Sequence, residues 1–253
     1  MANSCMVFIT GLWGGNDDYI LKTLPAQLAA RNVTFVTAPP LSKAEVWVAA
    51  ENLDAFIKDK IVPQYGKNIH VLGHSMGGLI GRYLVSNIWD EASYKILSLT
   101  TLATPHLGTP LSPNESSALL RWVHPAIDDM SYEGVAKFNE PGGEHYSPPH
   151  PLVQNYSYCA AISSIWKAGD LLSAYVYWRL GRGLKEAGLD ARNDGVVPLF
   201  SQYFGKHLGT VPVNHKYFSV KSDFNSPDLI SFYEKLIQFL EMERQDLPAL
   251  HSR

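Results

Sequence analysis

Ser75 stands in the hexapeptide GHSMGG, Gly73 to Gly78, with the apolar run IHVL just before it and LIGRYLV just after. A serine on a sharp turn between a strand and a helix has its hydroxyl thrust into the open at the end of a sheet. The flanking glycines are needed because side chains there would collide with neighbouring backbone. The helix that follows aims its free N–H groups at the same point, where they stabilise negative charge. The chemistry this pattern offers is nucleophilic attack by Ser75.

A serine hydroxyl is a weak nucleophile, so it needs a base, and the base needs a carboxylate to fix its tautomer and stabilise the imidazolium formed during attack. Chains with such an elbow carry these partners in the order Ser, then Asp or Glu, then His. The acidic candidates downstream include Asp170, Glu186, Asp190, Asp194 and Asp223. Asp194, in NDGVVP, is preferred because an Asp-Gly turn closing an apolar stretch projects its carboxylate from a tight loop, whereas Asp170 reads as a solvated helix position. After Asp194 come His207, in the glycine-flanked GKHLGT, His215, in VPVNHKYF, and His251, in a polar tail. His215 follows a short apolar run and is the expected base. His74 and His106 read as loop-orienting residues.

The oxyanion of a tetrahedral intermediate requires preorganised donors, one from the residue after the nucleophile and one from the loop after the first strand. Met76 is the first. The second is expected from TGLWGG, Thr10 to Gly15, at Leu12. Both act through their backbone amides.

The elements that must hold these residues are legible as short apolar runs alternating with segments of helical period, the signature of parallel strands joined by crossover helices. The expected strands are Met6 to Thr10, Val33 to Thr37, Ile69 to Leu72, Ile96 to Leu102 and Tyr156 to Ser163. The expected helices run from about Tyr19 to Ala30, from Ala44 to Lys60 with Pro63 as the breaker, from Met76 to Ile88, and from about Asp228 to Met242. Between about residues 110 and 150 the pattern changes to a proline-rich stretch with an apolar cluster at Leu119, Leu120, Trp122 and Val123. It is expected to form a cap or lid segment within one domain spanning 1–253.

Length and composition agree with that reading. The chain has 253 residues, of which 46% are hydrophobic and 18% charged, the balance of a globular domain able to bury a large core. Its 21 basic and 24 acidic side chains give a net charge of −3 without a basic run, which argues against nucleic acid as a partner. Cys5 and Cys159, the only cysteines, lie in two separate strand-like runs and are expected to be buried and reduced, so neither a disulfide framework nor a Cys-based zinc site is expected. No stretch approaches a membrane span, and the first residues run straight into a strand with no signal-peptide pattern; a cytoplasmic location is expected.

TGLWGG, GHSMGGLIGRY, TLATPHLGTP, MSYEGVAKFN followed by PGGE, and NDGVVP with Asn214-His215 about twenty residues on together resemble the true lipase family of Gram-negative bacteria, with kinship to serine esterases of eukaryotes. The resemblance spans most of the chain. It implies an α/β-hydrolase fold, with a mostly parallel central sheet and helices on both faces. It also implies Ser75 as nucleophile, Asp194 and His215 as its partners, and Leu12 with Met76 as the oxyanion hole.

Three positions depart from the family. Thr10 stands where it has a histidine, Tyr217 stands where it has a calcium-ligating aspartate, and the segment available for a lid is shorter. No metal or other cofactor is therefore expected, and the short cap points to smaller or more soluble esters. The expectation is a hydrolase that cleaves carboxylic esters, lipase or esterase, on small-molecule acyl ester or lipid substrates, with Trp13, Leu119 and Trp122 lining the acyl site. The alternatives are an intracellular carboxylesterase or thioesterase without lipase action, and a ligand-binding protein that keeps the fold without catalysis.

Overall fold

The computed structural model describes residues 4–12, 25, 28–29, 33–41, 43–110, 126–168 and 171–215. Six strands, β1 (Ser4–Ile9), β2 (Val33–Thr37), β3 (Asn68–His74), β4 (Lys95–Leu102), β5 (Gln154–Ala160) and β6 (Lys206–Val211), form one sheet in the order β2-β1-β3-β4-β5-β6. Every neighbouring pair is parallel. Parallel strands need crossover segments that cover both faces, and the central strands are accordingly buried along nearly their whole length. All six residues of β1 are buried, as are Ile69 to His74 of β3. The first five strands stand where the sequence places them, within about two residues except that β5 ends at Ala160 rather than Ser163.

The strand order reverses between β1 and β3: the chain steps outward from β1 to β2, then crosses to the other side of β1. Ligands in open α/β sheets bind in the crevice beyond the carboxyl ends of the strands at such a switch point. The segment following β1 is Thr10-Gly11-Leu12, and the residue following β3 is Ser75.

Helix α1 (Val46–Phe56) contributes Val46, Ala49, Ala50 and Leu53 to the core. It runs on through a π turn at Ile57–Ile61 into Val62–Tyr65. Pro63 therefore does not close this helix, contrary to expectation. A proline lacks the N–H and crowds the carbonyl one turn back, but the widened turn before it places Pro63 at the start of a fresh turn, where that N–H has no helical partner to lose. Gly66, with φ 92°, ends the helix.

Helix α2 (Met76–Tyr83) passes into a π turn at Leu84–Ile88, together matching the expected span. Helices α3 (Ala126–Asp129) and α4 (Tyr132–Asn139) follow β4, and α5 (Leu171–Glu186) follows β5. No bounds for α5 are read from sequence beyond the helix position at Asp170, β6 was not expected, and His207, read as a loop residue, lies on β6.

Part of the proline-rich stretch is described. Thr109 bridges to Ser131, and its N–H donates to the Met130 carbonyl at 2.9 Å. Ile127, Met130, Val135 and Phe138 join the same hydrophobic cluster as α1 and β1. Asp129 reaches α1 directly, its Oδ2 accepting from the Val46 N–H at 2.9 Å. That helix start has no capping side chain of its own, so a carboxylate 83 residues away supplies the cap. The expected helices 19–30 and 228–242 lie wholly or largely outside the described residues, as does the Leu119 to Val123 cluster.

Candidate active site

Ser75 is the sole residue between the end of β3 and the start of α2, and it adopts φ 55°, ψ −125°. An L-residue in that region stores about 1–3 kcal/mol of backbone strain. The turn is held by its surroundings: the Ser75 N–H donates to the Leu102 carbonyl at 2.8 Å, and its own carbonyl accepts from Gly78 at 3.0 Å. Gly77 is required by close approach, since a Cβ there would overlap the Ile9 carbonyl of β1. The strained turn and the packed glycine together place the Ser75 hydroxyl beyond the carboxyl end of the sheet.

Three side chains from distant segments meet at that hydroxyl. Ser75 Oγ lies 2.8 Å from His215 Nε2, and His215 Nδ1 lies 2.8 Å from Asp194 Oδ2. The carboxylate can only accept, so Nδ1 carries the proton and Nε2 presents its lone pair to the Ser75 O–H. Asp194 is fully buried, and its other oxygen accepts from the N–H groups of Val196 at 2.9 Å and Val197 at 2.7 Å. The Asp-Gly turn thus satisfies one carboxylate oxygen and leaves the other aimed at the imidazole. Backbone also ties the two partners, because the His215 N–H donates to the Asp194 carbonyl at 2.9 Å.

Of the alternatives weighed from sequence, Glu186 and Asp190 are exposed and paired with Arg182 and Arg192, and His207 lies beside Cys159 Sγ at 3.6 Å. Asp170 and Asp223 fall outside the described residues. Both cysteines are free and buried, and burial pushes their thiols up to about 12.

The neighbours of this line of groups are themselves fixed. His74 donates from Nε2 to the His215 carbonyl at 3.1 Å, and burial beside His215 holds its imidazole well below the usual histidine range. His106 lies 3.1 Å from Thr101 Oγ1 and stacks on Phe204 at 4.5 Å. Burial, helped by the Arg82 charge, keeps it neutral too.

Two residues escaped the sequence reading. Gln202, fully buried, accepts from the Ala160 N–H at 2.6 Å and donates to the Ala160 carbonyl at 2.9 Å, the Val197 carbonyl at 3.1 Å and Asp194 Oδ2 at 3.4 Å. It fastens the acid's loop to the end of β5. Arg82 on α2 donates to the carbonyls of Ser147 at 2.6 Å and Phe138 at 2.9 Å, and to Asn139 Oδ1 at 2.7 Å. With no carboxylate among these partners, burial lowers it to about 10. Neither residue carries a local sequence signal; each is recognisable only by its partners in space.

Gly11 and Leu12 bring the first-strand loop against the nucleophile. A Cβ on Gly11 would come 3.0 Å from Ser75 Cβ and 3.2 Å from His74 Nδ1, so a larger residue there would press on the nucleophile's turn. Leu12 is buried beside it, and Met76 begins α2, whose first N–H groups lack intrahelical acceptors. Trp13, Leu119 and Trp122 lie outside the described residues. Among the described residues no group of three or more His, Cys, Asp or Glu side chains is placed to hold a metal ion, and no helix is long and apolar enough to cross a membrane.

The family described as "Putative serine esterase (DUF676)" matches residues 3–130, half of the chain. The chain belongs to this family. That match covers the first-strand loop and the serine elbow. A further similarity extends past it: triacylglycerol lipase 2 of Saccharomyces cerevisiae is 25% identical over 218 residues, 83% of this chain, and the chain spans 61% of that lipase's length.

Solved structures share the fold. The metagenomic carboxyl esterase MGS0156 superposes with a TM-score of 0.72 at 17% identity, covering 94% of this chain and 76% of the other. The mature lipase BlEst2 of Bacillus licheniformis superposes with a TM-score of 0.64 at 16% identity, covering 92% of each. The six-stranded parallel sheet with its covering helices is an α/β-hydrolase sheet.

Proposed function

We propose that this chain hydrolyses carboxylic esters through an acyl-enzyme on Ser75. The observation that carries the reading is the unbroken line of two 2.8 Å hydrogen bonds from Ser75 Oγ through His215 to the buried Asp194. His215 Nε2 takes the serine proton as Oγ attacks the ester carbonyl, and Asp194 stabilises the imidazolium that results. The amides of Leu12 and Met76 receive the developing oxyanion. His215 then returns the proton to the leaving alcohol, and water activated by the same imidazole releases the acid. Membership of the serine esterase family and the likeness to the yeast lipase support the reaction class.

The finer kinship is with the true lipases, on the motifs GHSMGGLIGRY, TLATPHLGTP and NDGVVP. In this reading residues 1–253 form one domain, and the segment from about 110 to 150 caps the site, with Trp13, Leu119 and Trp122 forming the acyl wall. The anchoring of Thr109, whose Oγ1 donates to the Val196 carbonyl in the acid's loop, supports that placement. The substrates are small-molecule acyl esters or lipids.

The experiment is Ser75→Ala on purified protein with p-nitrophenyl esters. Turnover is expected to vanish while the melting temperature holds; undiminished turnover rejects the assignment. Emulsified triglyceride set against soluble esters then separates lipase from esterase.

A further inference from the structure

Helix α5 presents apolar side chains on two faces. Leu180 and Leu184 are buried against the protein, but Leu171, Tyr175 and Trp178, spaced four and three residues apart on another face, are 92%, 52% and 50% exposed. The short 3₁₀ turn Ile165–Ala168, packed against this helix, holds Trp166 out at 91% exposure. At roughly 150–250 Å² for each aromatic, the four side chains offer on the order of 600 Å². Large exposed apolar patches of this kind mark interaction sites.

Three features point to one partner. First, cations outnumber acids on α5: Arg179, Arg182 and Lys185 are exposed against a single acid, Glu186, which pairs with Arg182 at 2.7 Å, in a chain whose net charge is −3. Second, tryptophan, tyrosine and leucine flanked by arginine and lysine match the layers of a lipid–water boundary, where amphipathic rings settle at headgroup level and long cationic side chains reach outward. The Arg182 guanidinium already sits 5.7 Å from the Trp178 ring centre. Third, roughly 600 Å² is less than the ~800 Å² that each partner of a stable protein interface commonly buries, whereas a helix lying on a membrane needs only its few anchors.

The segment also belongs to the catalytic end of the sheet. It leaves after Ala160 and returns at Asn193, whose carbonyl accepts the Ile162 N–H at 3.0 Å immediately before Asp194. The Tyr177 hydroxyl donates to the Ile162 carbonyl at 3.3 Å and holds the helix there.

We propose that α5 and the turn bearing Trp166 form a docking face for an anionic lipid surface, seating the protein with the catalytic end of its sheet toward the lipid. The test uses full-length Ser75→Ala protein, so lipid binding is read without hydrolysis. It is mixed with vesicles of phosphatidylcholine alone and of phosphatidylcholine with phosphatidylserine in equal parts, and the bound fraction is measured by flotation.

Binding is expected on the mixed vesicles and is weakened by salt. Trp166→Ser with Trp178→Ser, and separately Arg182→Glu with Lys185→Glu, should each lower affinity by roughly tenfold or more. In the Ser75 background the same variants should hydrolyse a soluble p-nitrophenyl ester at the parent rate and melt at the parent temperature. This arm separates failure of the docking face from failure of the hydrolase reading. Absence of vesicle binding, equal binding to both vesicle types, or unaltered binding by the variants overturns the proposal. A dimer in sedimentation that the tryptophan variant dissolves also overturns it, by assigning the face to a second copy.

Discussion

Asp194→Asn tests how the buried acid works without changing its shape. In the native site Oδ1 accepts two backbone N–H groups, from Val196 and Val197, while Oδ2 faces His215 Nδ1 and Gln202 Nε2. An asparagine can keep its oxygen on the two backbone donors only by turning its NH2 toward the imidazole. His215 must then offer a lone pair at Nδ1, which moves its proton to Nε2 and leaves a donor facing the Ser75 hydroxyl. Flipping the amide to restore the productive tautomer sets NH2 against two buried N–H groups, each costing about 1–3 kcal/mol when unpaired.

The productive arrangement is therefore disfavoured by about 2–6 kcal/mol, and the lost imidazolium stabilisation adds to this; together they predict a fall in kcat of about 10³–10⁴-fold. Steady-state kinetics on a soluble ester should show the loss in kcat with KM little changed, and thermal unfolding should stay within a few degrees of the parent. A variant retaining kcat within about tenfold of the parent would refute this tautomer argument.

Other outcomes follow from groups around the site. Gln202→Met strips four hydrogen bonds, two to the end of β5 and two to the loop that carries Asp194; stability measured by urea unfolding should drop by about 2–4 kcal/mol, with kcat falling more than KM changes. Arg82→Met leaves the buried Ser147 carbonyl unpaired and takes the second donor from the Phe138 carbonyl, which keeps the Ser147 N–H, so it should cost about 2–4 kcal/mol in the same measurement, whereas a loss below about 1 kcal/mol would show the clamp to be dispensable. His70, held down to about 4 by burial, and His74 and His106, held well below 6.5, are neutral in the fold but bind protons when unfolded. Their contribution is therefore complete above the unfolded value near 6.5 and is lost as pH falls from there toward 4, at about 1.4 kcal/mol per pH unit for each histidine. Unfolding free energy measured at pH 7, 6 and 5 should decline in that order; a flat profile would contradict their buried neutral state.

Most of the sheet and the meeting of Ser75, Asp194 and His215 could be expected from sequence because each rests on a local pattern. Buried parallel strands such as CMVFI and IHVL leave continuous apolar runs, the elbow needs its glycines in sequence, and the Asp-Gly turn announces itself. Strand β6 was illegible because KHLGTV, outermost among the described strands, has mostly polar or exposed positions, so neither alternation nor an apolar run appears. The bounds of helix α5 were illegible because apolar residues on both its faces, with Gly181 and Gly183 inside, erase the stripe that marks a surface helix. Pro63 misled because a breaker's effect depends on the turn before it, here a π turn that no local pattern marks. Gln202, Arg82 and the Asp129 cap on α1 act across 8 to 83 residues of chain, and only the fold reveals their partners.

The most direct measurement is labelling with a fluorophosphonate probe followed by peptide mapping. The probe should attach at Ser75 in the parent protein, and His215→Ala should abolish labelling while preserving the fold seen by circular dichroism. Adduct on another serine, or undiminished reaction of Ser75 without the imidazole, would contradict the account.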